Sequence, residues 1–456
     1  MPLVPQRLPL AKRAVLTAKL AGVSRSSREG RIQDMSWNMP AGTFGKASWL
    51  PPGRFRIGLV VTAILLLSAC STFDRRAAVP PADTHDVTVL GLPNARFFVD
   101  RPAAISAEQE RSLTREAKAL GVSRGGTLPT AYLLSLSGGG DNGAFGAGLL
   151  TGWTAHGDRP EFKLVTGVST GALIAPFAFL GSEYDAALTD VYTNTDPSKI
   201  YAKRLITAAL TDDALSDTAP FFETISRYFD ASMLAKIASE YEKGRLLIIQ
   251  TTDLDAGRPV LWNIGAIAAS RDPRALDVVR HILLASASIP AAFPPVMFDV
   301  DADGKTYQEM HVDGGAVSQA FLVPPTVNMQ TAYVKSGYRR NAVAAYIIRN
   351  SRLKTDWSDV ERQTLSIAQK AVSTMINYNG VGDLYRMYLV TQRAGASFNL
   401  AYIGDDFQAD HKEEFDQNYM RALYRYAFDK AAKGYLWQHA PPGFVPTEYK
   451  PKDSRE

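Results

Sequence analysis

The sequence predicts an α/β fold in which a mainly parallel central sheet is flanked by helices. Two observations lead to this prediction. Short apolar runs, typical of strands buried on both faces, alternate along the chain with longer segments of helical pattern. The strand at residues 131–137 enters a helix through a glycine-rich turn, and the strand at residues 162–166 enters another through a tight turn. Strand–turn–helix units in this order are typical of parallel sheets.

The composition is that of a globular protein, with 46% hydrophobic and 21% charged residues among 456. The formal net charge of +4 is unevenly distributed. The first 70 residues hold ten Lys and Arg against two acidic residues, which leaves 40 basic and 44 acidic side chains in the remainder. This remainder contains no basic run, so the sequence argues against a nucleic-acid partner.

An apolar run at residues 57–67 follows Arg54 and Arg56 and ends in Leu-Ser-Ala-Cys, with Cys70 as the last residue. A basic region, a short apolar core and small residues before a cleavage point are typical of a secretory signal. The run is shorter than the ~20 residues that a membrane-spanning helix needs. Cys70 is the only cysteine of the chain, which excludes an internal disulfide and a two-cysteine metal site.

The Leu-Ser-Ala-Cys tetrad resembles the lipobox of bacterial lipoproteins. The resemblance implies that Cys70 is lipidated and becomes the first residue of the mature chain. Ser71 follows it, which by the same resemblance implies an outer-membrane lipoprotein facing the periplasm. The alternative is a buried apolar segment with an incidental cysteine. We therefore expect a leader and signal peptide at residues 1–69, followed by a tether that includes Pro80 and Pro81.

The remaining elements follow from hydrophobic periodicity and from residues that begin or end helices. Ser106 is a plausible N-cap for a helix over residues 106–120. A hairpin at 296–312 is predicted to turn at Asp303-Gly304. Helices are predicted at 144–153, 170–180, 273–286 and 415–436, through most of 182–243, and at 359–392 with a break near Gly380 and Gly382; strands are predicted at 246–251, 260–264, 342–349 and 397–403.

These elements predict one continuous domain at residues 126–437. A tether and N-terminal appendage would occupy residues 70–125, and a C-terminal tail residues 438–456. The sequence leaves open whether the last part of the domain forms a lid, a partner surface or only core.

The glycine-rich turn contains Gly138, Gly139, Gly140 and Gly143. Its spacing matches a dinucleotide fingerprint, but the second strand lacks the acidic residue that this site requires. A phosphate-binding P-loop is excluded because no Gly-Lys-Ser/Thr follows. Two interpretations remain, a tight turn that needs glycine for close packing or a set of backbone N–H groups that bind an oxyanion.

A second signal is the pentapeptide Gly-Val-Ser-Thr-Gly with Ser169 at its centre. A serine in a sharp turn between a strand and a helix is typical of a nucleophile elbow, although an N-cap serine has the same pattern. A serine nucleophile needs a base, and none of the six histidines lies in an obvious catalytic turn. His311 is the strongest candidate among them, because it lies two residues before Asp313 of the Asp-Gly-Gly motif.

In this order, the motifs GGGDNG, GVSTG and DGG resemble those of the patatin-like phospholipase family. The segment ASASIPAAFPP at residues 285–295 is also similar to the family's sequence before the aspartate. The resemblance covers about residues 130–320 and implies a three-layer α/β/α fold. It further implies Ser169 as nucleophile, Asp313 as base, and an oxyanion hole formed by the backbone at Gly138, Gly139, Gly140 and Asp141. Asn142 departs from the family, which commonly has Arg or Lys there.

The resemblance implies a serine acyl hydrolase that cleaves acyl esters of phospholipids or related lipids, with no cofactor and no metal. Membrane attachment would be through lipidated Cys70, and the oligomeric state is left open. One alternative is an esterase with a Ser-Asp-His triad, for which His411 is the best late histidine. A non-catalytic envelope lipoprotein is another. The acidic series Asp299, Asp301 and Asp303 resembles a calcium loop, but Met310 stands where that loop needs Glu, so a polar hairpin tip is expected.

Overall fold

The computed structural model describes residues 75–194, 202–203, 216–290, 292–354 and 359–444. The expected leader, signal peptide and Cys70 lie outside these residues. Within the described ranges, no helix combines the length and the apolar character that crossing a membrane requires.

The centre of the fold is a nine-stranded sheet. Its main path runs in the order β1, β8, β7, β4, β3, β12, β13, and β10 pairs with both β7 and β9. The strands in chain order are β1 Arg96–Phe98, β2 Thr127–Leu128, β3 Ala131–Leu136, β4 Leu164–Val168, β5 Ala202–Lys203, β6 Ser216–Asp217, β7 Leu246–Asp253, β8 Arg258–Asn263, β9 Val296–Ala302, β10 Lys305–Asp313, β11 Arg339–Arg340, β12 Val343–Arg349 and β13 Ser397–Tyr402. Two small ribbons, β2 with β11 and β5 with β6, lie outside this sheet.

Five strands form the parallel centre of the sheet: β7, β4, β3, β12 and β13 pair in parallel with their neighbours. The antiparallel strands β8, β1, β10 and β9 extend it beyond β7. In parallel α/β sheets, binding sites gather where the strands end and their loops diverge. Here β3 and β4 are neighbours, with Leu136 opposite Gly167, so the glycine turn and the Ser169 turn leave the sheet side by side.

Helices cover both faces of the sheet, and successive side chains of β3 show why. Leu134 and Leu136 belong to one hydrophobic cluster, and Leu133 belongs to another on the opposite face. The helices are α1 Pro102–Ala119, α2 Gly143–His156, α3 Thr170–Leu180, α4 Asp185–Asn194, α5 Ala219–Tyr228, α6 Ala231–Glu242, α7 Ile264–Ala269, α8 Ala275–Ser286, α9 Met329–Ser336, α10 Thr364–Ala394 and α11 Gln417–Ala432. The predicted fold class, a mainly parallel sheet flanked by helices, is confirmed.

Two expectations about helices are wrong. Helix α1 begins one turn before Ser106, with Pro102 in its first turn, where a missing N–H costs nothing. Helix α10 runs unbroken through Gly380 and Gly382. A Cβ on Gly380 would lie 2.4 Å from the guanidinium nitrogen Nη1 of Arg349, so the glycine leaves room for that buried side chain.

The predicted hairpin is confirmed: β9 and β10 pair in register from Ala302 opposite Lys305. Two of its acidic side chains have partners within the protein. Asp299 accepts a hydrogen bond from Arg76 Nη1 at 2.6 Å, and Asp301 accepts one from Thr306 Oγ1 at 2.8 Å. These contacts are those of a polar hairpin.

Candidate active site

Ser169 lies between β4 and α3 in a strained backbone conformation, with φ 55° and ψ −127°. A non-glycine residue with positive φ costs on the order of 1–3 kcal/mol and persists only where its surroundings enforce it. The two glycines of the pentapeptide allow this turn. A Cβ on Gly167 would lie 2.5 Å from the carbonyl oxygen of Gly171, and one on Gly171 would lie 2.2 Å from that of Leu136. The motif is therefore required by close packing of the strand–turn–helix.

Asp313 lies at the end of β10, and its carboxylate meets the serine. Ser169 Oγ donates to Asp313 Oδ2 at 2.6 Å. The other carboxylate oxygen, Oδ1, accepts the backbone N–H of Gly315 at 2.6 Å, which fixes the orientation of the group. The backbone N–H of Ser169 in turn donates to Ser286 Oγ at 3.0 Å. Nucleophile and base candidates thus lie within hydrogen-bonding distance, on elements of the rigid sheet.

The Asp313 carboxylate is almost removed from solvent, with 5% of the residue exposed. Burial disfavours its charged form and raises the pKa of Asp313 to about 7, although the hydrogen bonds from Ser169 and Gly315 oppose the shift. A free aspartate is too weak a base to accept a serine proton efficiently, whereas a group that titrates near neutral pH is suited to it.

The glycine turn brings its backbone to the same place, with one correction to the sequence-based expectation. The N–H of Gly138 donates to the carbonyl of Gln319 at 2.9 Å, so this amide is already used. Within the described part of the chain, no protein acceptor takes the amides of Gly139 and Gly140. Gly140, with φ 59°, also lines the cavity next to Ser169. Asp141 follows in a single 3₁₀ turn, Gly140–Asn142, that leads into α2.

Asn350 was missed by the sequence analysis, and it holds the glycine turn in place. Its Nδ2 donates to the carbonyl of Ser137 at 2.8 Å, and its Oδ1 accepts the N–H of Gly146 at 3.0 Å. Gly139 passes so close that a Cβ would lie 2.0 Å from the carbonyl oxygen of Asn350. Asn350 directly follows β12. A polar residue directly after a buried strand is the sequence signal that could have identified it as a site residue.

An apolar cavity opens beside Ser169. Helices α3 and α5 contribute four lining residues each, and most of the side chains in the wall are apolar. Among the residues that line it are Leu173, Phe177, Phe221, Ile225, Leu283 and Phe293.

Every one of the six histidines has partners other than the serine and the aspartate. His311, fully buried, meets Thr251 Oγ1 at 2.8 Å and Glu309 Oε2 at 3.2 Å. His411, the candidate for a triad, places Nε2 at 2.7 Å from Asp141 Oδ2. His85 contacts Asp100, and His156 contacts Asp158. His281 contacts Asp277, and His439 contacts the carbonyl of Phe398. The geometry gives no support to a Ser-Asp-His triad.

One group of potential metal ligands occurs within the described ranges: Asp253, Glu309 and His311, with ligand atoms within 4.8 Å of one another. Arg96 already pairs with both oxygens of Glu309. Burial works against the charged form of Glu309, yet His311 and Arg96 lower the pKa of Glu309 to about 2. The guanidinium of Arg96 supplies the positive charge beside Glu309, and both ring nitrogens of His311 have partners. These side chains therefore form a buried ion network and not a metal centre.

Residues 134–324 match the model of the patatin-like phospholipase family. No curated protein sequence matches the chain. A structural similarity extends to the crystal structure of VipD from Legionella pneumophila, at 10% identity and a TM-score of 0.31. It covers 66% of this chain and 66% of VipD, so less than two thirds of that protein's length is matched. The resemblance to the patatin-like phospholipase family, predicted over about residues 130–320, is confirmed by the match at residues 134–324.

Proposed function

We propose that the patatin-like phospholipase domain at residues 134–324 hydrolyses acyl esters of phospholipids or related lipids through a Ser169–Asp313 dyad. One observation carries the proposal: Ser169 Oγ donates to Asp313 Oδ2 at 2.6 Å at the wall of the apolar cavity. Such a cavity suits an acyl chain, and the dyad is positioned to attack the ester carbonyl at its mouth.

In the proposed reaction, Ser169 Oγ attacks the carbonyl carbon while its proton passes to Asp313 Oδ2. The negative charge that forms on the carbonyl oxygen is stabilised by the free amides of Gly139 and Gly140, aided by their position at the start of a helix. Collapse of this intermediate breaks the ester bond, and Asp313 returns the proton to the leaving alcohol. The acyl chain is then bound to Ser169.

The second half of the reaction repeats these roles with water. Water attacks the acyl-enzyme carbonyl and gives its proton to Asp313. The tetrahedral intermediate collapses, Asp313 protonates Ser169 Oγ, and the fatty acid leaves. No histidine is needed at any step, because the buried carboxylate titrates near neutral pH.

The test is acyl release from defined phospholipids by the wild type, Ser169→Ala and Asp313→Asn. We expect both variants to lose at least ~10³-fold in kcat, since each removes a group that acts in the transition state. Ser373→Ala and Asp303→Asn are matched controls, because both side chains are exposed and neither belongs to the dyad, and they should retain wild-type rates. Equal rates in wild type and both dyad variants would overturn the proposal.

We also propose that the mature protein is attached to the bacterial outer membrane, facing the periplasm, by acyl chains on Cys70. The support is the sequence alone, namely the apolar run at residues 57–67 and the tetrad that ends in Cys70. Labelled palmitate should enter the wild type and not Cys70→Ser, which should leave the membrane fraction. Equal labelling of the two proteins would contradict the proposal.

A further inference from the structure

The glycine turn ends in two polar residues, and both side chains contact a segment near the C-terminus. Asp141 Oδ2 accepts a hydrogen bond from His411 Nε2 at 2.7 Å and another from the backbone N–H of Phe415 at 3.0 Å. Asn142 Oδ1 accepts the hydroxyl of Tyr419 at 2.6 Å. The ring of His411 stacks on that of Tyr419, with centroids 4.2 Å apart. The carboxylate and the amide thus attach residues 411–419 to the turn.

The attached segment forms part of the cavity wall. Phe415 and Met420 line the same cavity as Ser169 and Gly140. Phe415 has a positive φ of 61°, which a non-glycine residue adopts only when it is held there. The hydrogen bond from its N–H to the buried carboxylate of Asp141 supplies such a constraint.

We propose that Asp141 is a positioning residue that fixes the 411–420 segment against the glycine turn, so that Phe415 closes one wall of the acyl cavity. His411 strengthens this attachment when it is protonated. The part of the proposal that concerns acyl chains rests on the proposed function. It gives the region after the patatin-like match a role in substrate binding.

The charge of His411 makes the attachment depend on pH. Its hydrogen bond to Asp141 raises the pKa of His411, burial opposes this, and the charges of Asp141, Asp416 and Glu414 support it. The ring of Tyr419 from α11 stacks on that of His411. The charge-assisted bond is complete below the ordinary pKa of histidine and is lost as pH rises through the raised value. Asp313 must be ionised to act, so activity falls at low pH as Asp313 is protonated. Affinity for the acyl chain falls at high pH as His411 loses its proton. These two titrations form the acid limb and the alkaline limb of the pH profile.

Hydrogen–deuterium exchange tests the attachment without any substrate. In Asp141→Ala, amides 411–416 should exchange at least about tenfold faster, because Phe415 N–H loses its acceptor. His156→Ala is a matched control, since His156 Nδ1 lies 2.7 Å from Asp158 Oδ1 at the other end of α2. It should leave these amides unchanged. Unchanged exchange in Asp141→Ala would overturn the proposal; should that variant not fold, His411→Ala serves, with faster exchange expected there too.

Kinetics with palmitoyl and butyryl esters test the consequence for substrate. His411→Ala should raise KM for the palmitoyl ester about tenfold, the effect of one lost charge-assisted hydrogen bond, and change kcat for the butyryl ester little. His411→Gln keeps a donor without a charge, so it should restore the KM only in part, to the value that the wild type reaches at high pH, and abolish the alkaline limb of the pH profile. An active wild type with the same chain-length preference as His411→Ala would refute this inference and leave the proposed function standing. An inactive wild type would refute the proposed function. The exchange experiment would then be the remaining test of the attachment through Asp141.

Discussion

At the scale of single residues, the carboxyl group of Asp313 determines how the site responds to pH. Burial raises the pKa of Asp313 to about 7. The proposed base acts only when ionised. With the butyryl ester, which does not depend on the His411 attachment, acyl transfer at low substrate should therefore rise with pH through about 7 and level off once the carboxylate is formed. Measurement of kcat/KM between pH 5 and pH 9 checks this; a rate already at its plateau at pH 5 would show a carboxylate of ordinary basicity.

The same burial predicts that the site destabilises the fold. Between the ordinary pKa of an aspartate and about 7, the native state holds a proton on Asp313 that the unfolded state has released. The free energy of unfolding therefore falls as pH rises through this range. Asp313→Asn removes the titration and should raise the free energy of unfolding at pH 8 by on the order of 1–3 kcal/mol.

Urea unfolding of wild type and Asp313→Asn at pH 5 and pH 8 measures this gain, which should be larger at pH 8. Asp303→Asn, at the exposed hairpin turn, should show no such pH dependence. If Asp313→Asn is less stable than the wild type at pH 8, the carboxylate is not under the strain that its burial implies.

At the scale of elements, helices α2 and α11 approach so closely that glycine is required between them. A Cβ on Gly148 would lie 2.1 Å from the carbonyl oxygen of Tyr424, and one on Gly152 would lie 2.4 Å from that of Phe428. The glycines that follow the turn in sequence therefore serve helix packing as well as the site. Their contact carries α11, and with it Tyr419, to the end of the glycine turn.

Two glycine-to-alanine changes in helices should have opposite effects. Gly148→Ala must push two backbones apart and should lower the free energy of unfolding by about 1–3 kcal/mol or more. Gly382→Ala in α10 meets nothing within 4 Å and should raise it by about 0.5–1 kcal/mol, since alanine favours helix. Thermal unfolding of the two variants gives the sign; destabilisation by both would contradict the open space at Gly382.

At the scale of the whole molecule, the sequence predicted the features that depend on residues close together in the chain. It did not predict contacts between residues that are far apart in the chain. The turns around Ser169 and Asp313 depend on glycines next to them in the chain, so their motifs could be recognised in the sequence. Asn350 and His411 reach the glycine turn from 213 and 270 residues away in the chain, and no local pattern announces such contacts. The continuous helix at Gly380 was not predicted for the same reason, because the side chain that packs against this glycine, Arg349, lies on another element.

The N-terminal segment is another long-range case. Residues 70–125 were expected to form a tether and appendage, and that boundary stays a prediction. Within this stretch, β1 pairs with β8 at the end of the main path of the sheet. Arg96 of β1 forms a buried ion pair with Glu309 of β10, with side chains 4% and 2% exposed. A buried carboxylate whose cation is removed costs about 3–5 kcal/mol.

Arg96→Met therefore should lower the free energy of unfolding at pH 7 by about 3–5 kcal/mol, because it leaves Glu309 buried with His311 as its remaining partner in the pair network. Arg76→Met is the matched control: its pair with Asp299 is half exposed and should contribute at most ~1 kcal/mol. In the wild type, Arg96 helps to lower the pKa of Glu309 to about 2, so the stabilisation is full above the ordinary pKa of glutamate and falls as pH drops towards 2. The difference between Arg96→Met and wild type should accordingly shrink from pH 7 to pH 4 in urea unfolding. A loss equal to that of Arg76→Met at both pH values would mean that β1 is not held to the sheet by this pair.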